Sequence, residues 1–359
     1  MKPKVSIITP TYNHEDYIEK CIRSVLAQSY RNWEMIIIDD DSSDKTYDLA
    51  LKIKKSDNRI KLIKHRIRWG IKKLDVTYNQ ALRISRGELI AILEGDDYWP
   101  KDKLKQQIKV FRYNDIVMSF GDCIVVNRHG HPLEVNTYRN GRNRFQNSPI
   151  GSIISQFYDL DFYISPVTVM IRKSTLNKIG GFKKNKYYRF VDIPTIIELG
   201  LTGKFNYINN ILGFYRKHEQ SSWFNYAKET TTMGRKEFVN YLRVFIKRKR
   251  KTLLKNFPEF FDEESLKKQN LMLGQKKREK EISLIRHYLA FGEVNRAKTM
   301  SKKAIQNHDL TLRDKLFLYI VLLGVFNNRL SIRLIGEFLV LRYRFMCFIH
   351  TRINEFIST

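Results

Sequence analysis

Cysteine is scarce in this chain, with Cys21, Cys123 and Cys347 the three in 359 residues. An odd number at wide spacing excludes a disulfide framework and a thiolate metal cluster, and fits a reducing compartment. Long apolar runs are lacking as well. The longest, Leu316 to Phe326, has eleven residues, and Phe338 to Leu341 is shorter still; a bilayer-spanning helix needs about 20. No leader peptide is expected, because Met1-Lys2-Pro3-Lys4-Val5 moves straight into a strand pattern. Long disordered tracts are missing too, and 43% hydrophobic and 13% aromatic residues are ample for packed cores.

Acids are outnumbered, 37 against 65 Lys and Arg, for a formal net charge of +28. The excess is uneven. Residues 1–222 hold 37 basic and 24 acidic side chains, net +13, while the shorter stretch 223–359 holds 28 and 13, net +15. A basic surface suits nucleic acid, anionic lipid or phosphorylated small molecules, and charge alone does not choose among them.

Where acids do occur, they cluster behind strands. Trp33-Glu34-Met35-Ile36-Ile37-Ile38 ends in Asp39-Asp40-Asp41-Ser42-Ser43-Asp44, and Leu89-Ile90-Ala91-Ile92-Leu93 ends in Glu94-Gly95-Asp96-Asp97. Apolar runs that end in acids gather anions at the carboxyl edge of a sheet, where open α/β folds bind ligands. Repulsion among them calls for a counter-charge, and a divalent cation on oxygen ligands, Mg²⁺ or Mn²⁺, is the economical candidate.

Strand and helix patterns alternate through the first part. Val5–Thr9 reads as a buried strand, and Tyr17, Ile18, Cys21, Ile22, Val25 and Leu26 mark one helix face. Strands follow at 33–38, 60–63, 89–93, 116–120 and 123–126, with helices expected over 44–55, 76–85 and 101–113. This alternation predicts a mostly parallel α/β sheet with helices on both faces and right-handed crossovers. Residues 127–149 are polar and read as a loop. A strand is expected at 167–171, a short helix at 174–179, and strand-like residues at 211–214. Past Trp223 the pattern turns helical. It includes the block Lys247-Arg248-Lys249-Arg250-Lys251 and a helical pair over 281–291 and 293–307. The main boundary falls near residue 222.

Residues 1–222 resemble an inverting family 2 glycosyltransferase with the GT-A fold, a Rossmann-like architecture. The resemblance rests on Val5-Ser6-Ile7-Ile8-Thr9-Pro10-Thr11-Tyr12-Asn13, on the acids at 39–44, and on Gly87-Glu88-Leu89-Ile90 leading to Glu94-Gly95-Asp96-Asp97. It continues through Val169-Met170-Ile171-Arg172-Lys173 and Gly180-Gly181-Phe182 to Tyr215-Arg216-Lys217-His218. In order and spacing the set is highly specific, although no single piece is. It implies a GT-A catalytic domain over 1–222, with a nucleotide-binding half to about 126 and an acceptor half over 127–222. A basic helical region would occupy 223–359.

The resemblance also implies roles. Pro10, Thr11 and Tyr12 would line the nucleotide base pocket, with Tyr12 stacking on the base; Asn13 as a helix cap and Tyr12 as core is the blander alternative. Asp40 would read the base, with Asp39 beside it. N-capping of the next helix by Asp41, Ser42 or Asp44 is expected as well. Relatives commonly carry Gly where this chain has Asp41, and Asp tolerates positive φ better than most residues. Asp96 and Asp97 would hold Mn²⁺ or Mg²⁺, Asp96 also approaching the donor, with Glu94 replacing the first acid of the Asp-x-Asp motif. Asp192 takes the place of the second acid of the family's base motif, Val191 replacing the first; capping the next helix is its other reading. Glu94, Trp99, Arg216 and His218 are candidates for diphosphate or acceptor contacts, with core packing the alternative for Trp99.

The expected function is metal-dependent, inverting transfer of a sugar from a nucleotide-diphosphate sugar to a hydroxyl on a glycan or lipid-linked saccharide. Family frequency favours a UDP-sugar. The expected site of action is the cytoplasm, peripherally on the cytoplasmic face of an anionic membrane. Two alternatives stand beside it. One is a nucleotide-sugar binder without turnover, suggested by Asp41, Glu94 and Val191. The other is a basic nucleic-acid-binding protein, disfavoured because no groove-reading motif or stacking platform is recognisable.

Overall fold

The computed structural model describes residues 4–136, 146–156, 164–185, 190–221, 233–257 and 294–305, together with 285, 289, 318, 319, 321 and 322. Most of the expected helix over 281–291 and of the apolar run 316–326 lies outside these residues. The chain forms two compact units. The first comprises Met1–Cys123, Thr137–Tyr215 and Tyr226–Leu266; the second comprises Ile124–Asn136, Arg216–Asn225 and Lys267–Thr359.

Three apolar runs form the centre of the sheet, because strands buried on both faces must be apolar almost throughout. They are β1 (Val5–Thr11), β2 (Trp33–Asp39) and β4 (Leu89–Ile92). β2 and β4 flank β1 in parallel, with Thr11 opposite Asp39 and Ile8 opposite Ile92. β3 (Ile60–Lys64) adds to β2, also in parallel. Beyond β4 the pairing turns antiparallel, through β7 (Met170–Arg172) to β5 (Ile116–Val126). The full order is β3-β2-β1-β4-β7-β5-β6, where β6 is Pro132–Asn136, with β8 (Lys204–Arg216) also on β5.

Helices cover this sheet as the periodicity requires. α1 (Ile18–Leu26) buries Ile18, Cys21, Ile22 and Val25, and α2 (Thr46–Lys54) buries Thr46 and Ala50. The apolar members of both join a core with Val5, Ile7, Trp33, Met35, Ile37, Leu89 and Ala91, one parity of the central strands. α3 (Leu74–Ile84) buries Thr77, Tyr78, Ala81 and Leu82. The helix expected over 101–113 is α4 (Lys103–Ile108) followed by a 3₁₀ turn at Lys109–Arg112. α5 (Ser152–Gln156), α6 (Lys173–Lys178) and α7 (Asp192–Leu199) follow.

Three elements differ from expectation. Residues 116–120 and 123–126 are one strand, β5, because the chain passes Gly121 and the buried Asp122 without a break. The segment expected to begin a strand at Val167 is a 3₁₀ turn, Pro166–Thr168, and the ladder starts at Met170. The polar stretch after Val126 contains a strand, β6 (Pro132–Asn136). Asn127 makes the preceding turn: its Oδ1 accepts the N–H groups of His129 and His131, and Gly130 adopts φ +85°. A reading by polarity misses a strand set up by one side-chain-capped turn.

After residue 222 come α8 (Met233–Asn256) and α9 (Val294–Ile305). α8 buries Tyr241, Leu242, Phe245 and Leu253. Glu198 on α7 pairs with its Arg248 at 2.6 Å and its Lys249 at 3.3 Å. Lys247, Lys251 and Lys255 stay exposed.

Candidate active site

Both acid clusters meet at the end of β1. The Thr11 carbonyl accepts the N–H of Asp40 at 2.9 Å, and the Pro10 carbonyl accepts the N–H of Gly95 at 3.1 Å. The residues after β2 and those after β4 therefore flank one dipeptide, about 10 Å apart across two strand spacings. Gly95 is required there: a Cβ would lie 2.4 Å from Thr11 Oγ1 and 2.8 Å from His14 Nδ1.

On the β2 side each carboxylate is engaged. Asp39 is fully buried and accepts from the Ser42 N–H and Oγ at 2.9 and 2.6 Å. Asp40 Oδ1 meets His65 Nδ1 at 2.7 Å and accepts the Trp69 N–H at 2.9 Å, while Oδ2 accepts the Gly70 N–H at 2.6 Å. A carboxylate has about four acceptor positions, so these contacts leave room on Oδ2 for one more donor. Tyr12 is half-buried, with the Arg68 guanidinium 3.9 Å from its ring centre. His65 stacks on Trp69 at 3.8 Å.

Asp41 sits at φ +63°, a left-handed backbone that Asp tolerates better than most residues. The loops after β1 and β2 are sewn together. Asn13 Oδ1 accepts the Ser43 N–H, Thr46 Oγ1 accepts the His14 N–H, and Asp44 accepts the N–H groups of Glu15 and Thr46. Burial pushes the Asp44 carboxyl up, but these hydrogen bonds outweigh it and hold the group below the usual carboxylate range. Asn13 thus braces the neighbouring loop; the residue before α1 is Tyr17, with no side-chain cap.

The β4 side carries the concentrated charge. One oxygen each of Glu94, Asp96 and Asp97 lies within 4.8 Å of the others. Glu94 Oε1 accepts from the Tyr78 hydroxyl at 2.8 Å. Burial first, then the charges of Asp96 and Asp192, push the Glu94 carboxyl up to about 7, against the lowering effect of Tyr78. His14 Nε2 lies 3.9 Å from Asp96 Oδ2. Tyr215 is held protonated by burial and then by Asp97, Asp96 and Glu94. It is brought there by the antiparallel bridge of Phe214 to Tyr98, whose rings stack at 4.4 Å.

Asp192 opens α7 and is half-buried, its Oδ1 accepting the Ile193 N–H at 2.8 Å. Its charge acts on both Glu94 and Tyr78, so the candidate base shares the neighbourhood of the acid cluster. Val191, in place of an acid, is buried.

Trp99 packs as core. It is buried, donates from Nε1 to the Val167 carbonyl at 2.8 Å and carries the Lys103 amine 4.2 Å from its ring centre. Arg216 and His218 belong to the second unit. There the Arg216 guanidinium donates to the carbonyls of Asn127 and Arg128, both at 3.0 Å, and the His218 carbonyl accepts the Ser221 N–H. Sequence reasoning passed over His14, Tyr78, Asn79 and Tyr215. Their place in the chain was the available signal: His14 directly follows one motif, Tyr215 opens another without having been given a role, and Tyr78 lies on the helix before Gly87.

The family described as glycosyl transferase family 2 matches residues 6–180. These residues, just under half of the chain, carry a glycosyl transferase family 2 domain. Among curated proteins the chain is similar to TuaG of Bacillus subtilis, whose name assigns it to teichuronic acid biosynthesis. The two are 41% identical over 133 residues, 37% of this chain and 52% of TuaG. It is also similar to WfgD of Escherichia coli, named a UDP-Glc:α-D-GlcNAc-diphosphoundecaprenol β-1,3-glucosyltransferase, at 41% over 125 residues, 35% and 47% of the two chains. The chain spans about half the length of these relatives. Two solved structures share its GT-A fold. TarS 1–349 of S. aureus with UDP-GlcNAc has a TM-score of 0.53 at 17% identity, over 93% of this chain and 90% of that one. A mannosyltransferase of Pyrobaculum calidifontis with GDP-Man and Mn²⁺ has 0.52 at 15%, over 95% and 86%.

Proposed function

We propose that this glycosyltransferase moves a sugar, with inversion, from a UDP-sugar to a hydroxyl of a lipid-linked saccharide, using a divalent cation. The observation that carries this reading is the carboxyl trio Glu94, Asp96 and Asp97, adjoining Pro10–Tyr12 through Gly95 and within electrostatic reach of Asp192.

The trio suits Mn²⁺ or Mg²⁺, since its donors are all oxygen and burial together with the charge of Asp96 raises the Glu94 carboxyl. A cation held by Asp96 and Asp97, with Glu94 beside them, would offset the charge that develops on the departing diphosphate. Tyr12 supplies an aromatic face for the base, and the remaining acceptor position on Asp40 Oδ2 suits an imide N–H. Asp192 takes the acceptor's hydroxyl proton as that oxygen attacks C1 and the C1–phosphate bond breaks. The diphosphate leaves with the bonding pair. Tyr78 and Tyr215 stay protonated beside the acids and limit their repulsion.

The lipid-linked acceptor rests on the name of WfgD and sets the reaction at a membrane face. Among the described residues no helix is long and apolar enough to cross a bilayer. Peripheral attachment through exposed Lys247, Lys251 and Lys255 to anionic lipid fits that setting.

The test is UDP release from a panel of UDP-sugars with Mn²⁺ and a GlcNAc-diphosphate-lipid acceptor, followed by NMR of the product anomer. Transfer with inversion is expected, abolished by EDTA and reduced at least about 100-fold in Asp192→Asn. Donor binding without turnover would replace this reading with that of a binding protein.

A further inference from the structure

We propose that Asn79 is a positioning residue that holds Asp192 in register with the acid cluster, acting through the Gly180-Gly181-Phe182 turn. The proposal rests on Asp192 being the base.

Consecutive residues of α3 reach two parts of the site. Tyr78 donates to Glu94 at the end of β4. Asn79 clasps the backbone of Phe182 in both directions: its Oδ1 accepts the Phe182 N–H at 2.8 Å, and its Nδ2 donates to the Phe182 carbonyl at 3.0 Å. Two hydrogen bonds from one planar amide, to the N–H and C=O on either side of one Cα, fix the Phe182 backbone in orientation as well as in distance. The turn is shaped to receive that amide. Gly180 and Gly181 adopt φ +83° and +84°, and a Cβ on Gly181 would lie 2.2 Å from Asn79 Oδ1. The Phe182 ring meets the Tyr78 ring at 4.9 Å and closes the same corner.

From the turn the connection runs on to α7. The Lys183 N–H donates to Thr195 Oγ1 at 2.9 Å, and Thr195 Oγ1 donates to the Val191 carbonyl at 2.6 Å. Asp192 is the next residue. Glu94 and Asp192 are thus joined by a path of side-chain hydrogen bonds through α3, independent of the chain between Asn185 and Phe190. A base must be placed to within a fraction of an ångström of the proton it takes, and α7 is only eight residues long. Without the clasp, the acids on β4 and the carboxylate on α7 lose this common reference.

A kinetic cycle of Asn79→Ala and Asp192→Asn tests this, reading UDP release from UDP-glucose with Mn²⁺ and a GlcNAc-diphosphate-lipid acceptor. Asn79→Ala is expected to lower kcat about 100-fold with donor KM changed by less than about twofold. In the Asp192→Asn background the same substitution should cost less than about threefold more, because the group it positions is already disabled. Asn79→Asp keeps the acceptor for the Phe182 N–H and should lose about tenfold; it replaces Asn79→Ala in the cycle if that variant does not fold. Losses that multiply in the double variant would overturn positioning and leave Asp192 as base. Wild-type turnover by Asp192→Asn would overturn both.

Discussion

Glu94 offers the most direct physical test of the acid cluster. Its carboxyl stands at about 7 in the folded protein, against 4.5 as the ordinary value, through burial and then the charges of Asp96 and Asp192. An acid whose folded value is raised binds more protons folded than unfolded across that interval. Its contribution is therefore complete below about pH 4.5 and is lost as pH rises through about 7. Integrated from pH 5 to pH 8, the loss is roughly 2–3 kcal/mol in cation-free protein. Glu94→Gln keeps an acceptor for the Tyr78 hydroxyl and carries no titration.

The assay is urea unfolding of both proteins at pH 5, 6, 7 and 8, in EDTA and in saturating Mn²⁺. In EDTA the wild-type protein should lose stability relative to Glu94→Gln by roughly 2–3 kcal/mol over that range. In Mn²⁺ the difference in slope should shrink, because the cation supplies the charge that otherwise favours the proton. Parallel pH profiles of the two proteins in EDTA would refute the argument that these carboxyls repel one another in a closed space.

Gly95→Ala should cost about 1–3 kcal/mol by overpacking, because the added methyl enters the space of Thr11 and His14. It should also weaken UDP-sugar binding about tenfold or more, as Pro10–Tyr12 are displaced. Thermal melts and donor titrations check this, and unchanged values in both would count against Gly95 as the hinge between β1 and the acids. Lys103 is fully buried, where its amine donates to Gln107 Oε1, and burial pushes its pKa well down. The unfolded chain thus binds the extra proton up to its ordinary value, and stability should rise with pH from neutrality toward 10. Lys103→Met should flatten that rise in urea unfolding between pH 7 and pH 9; equal slopes would show the amine to be charged in place.

The parallel half of the fold was legible from local pattern. Apolar runs at 33–38 and 89–93 read as buried strands, the spacing of Ile18, Cys21, Ile22 and Val25 reads as one helix face, and the structure has β2, β4 and α1 there. Placing acids directly after those runs put them at one edge of the sheet. β6 was hidden because a capped turn at Asn127 created it, and β5 was read as two pieces because Gly121 and Asp122 look like a break.

What the linear chain determined by itself is which residues stand at the sheet edge, since a strand and the residues that follow it are neighbours by covalent connection. Tertiary structure alone decided how those groups are occupied. Trp99 adjoins the acids in sequence, yet its indole N–H is spent on Val167, 68 residues away. Asn79 and Phe182, 103 residues apart, close the clasp that leads to Asp192. Such partners are chosen by the packing of whole elements, and no periodicity or local motif encodes a hydrogen bond between atoms that only the folded sheet brings within reach.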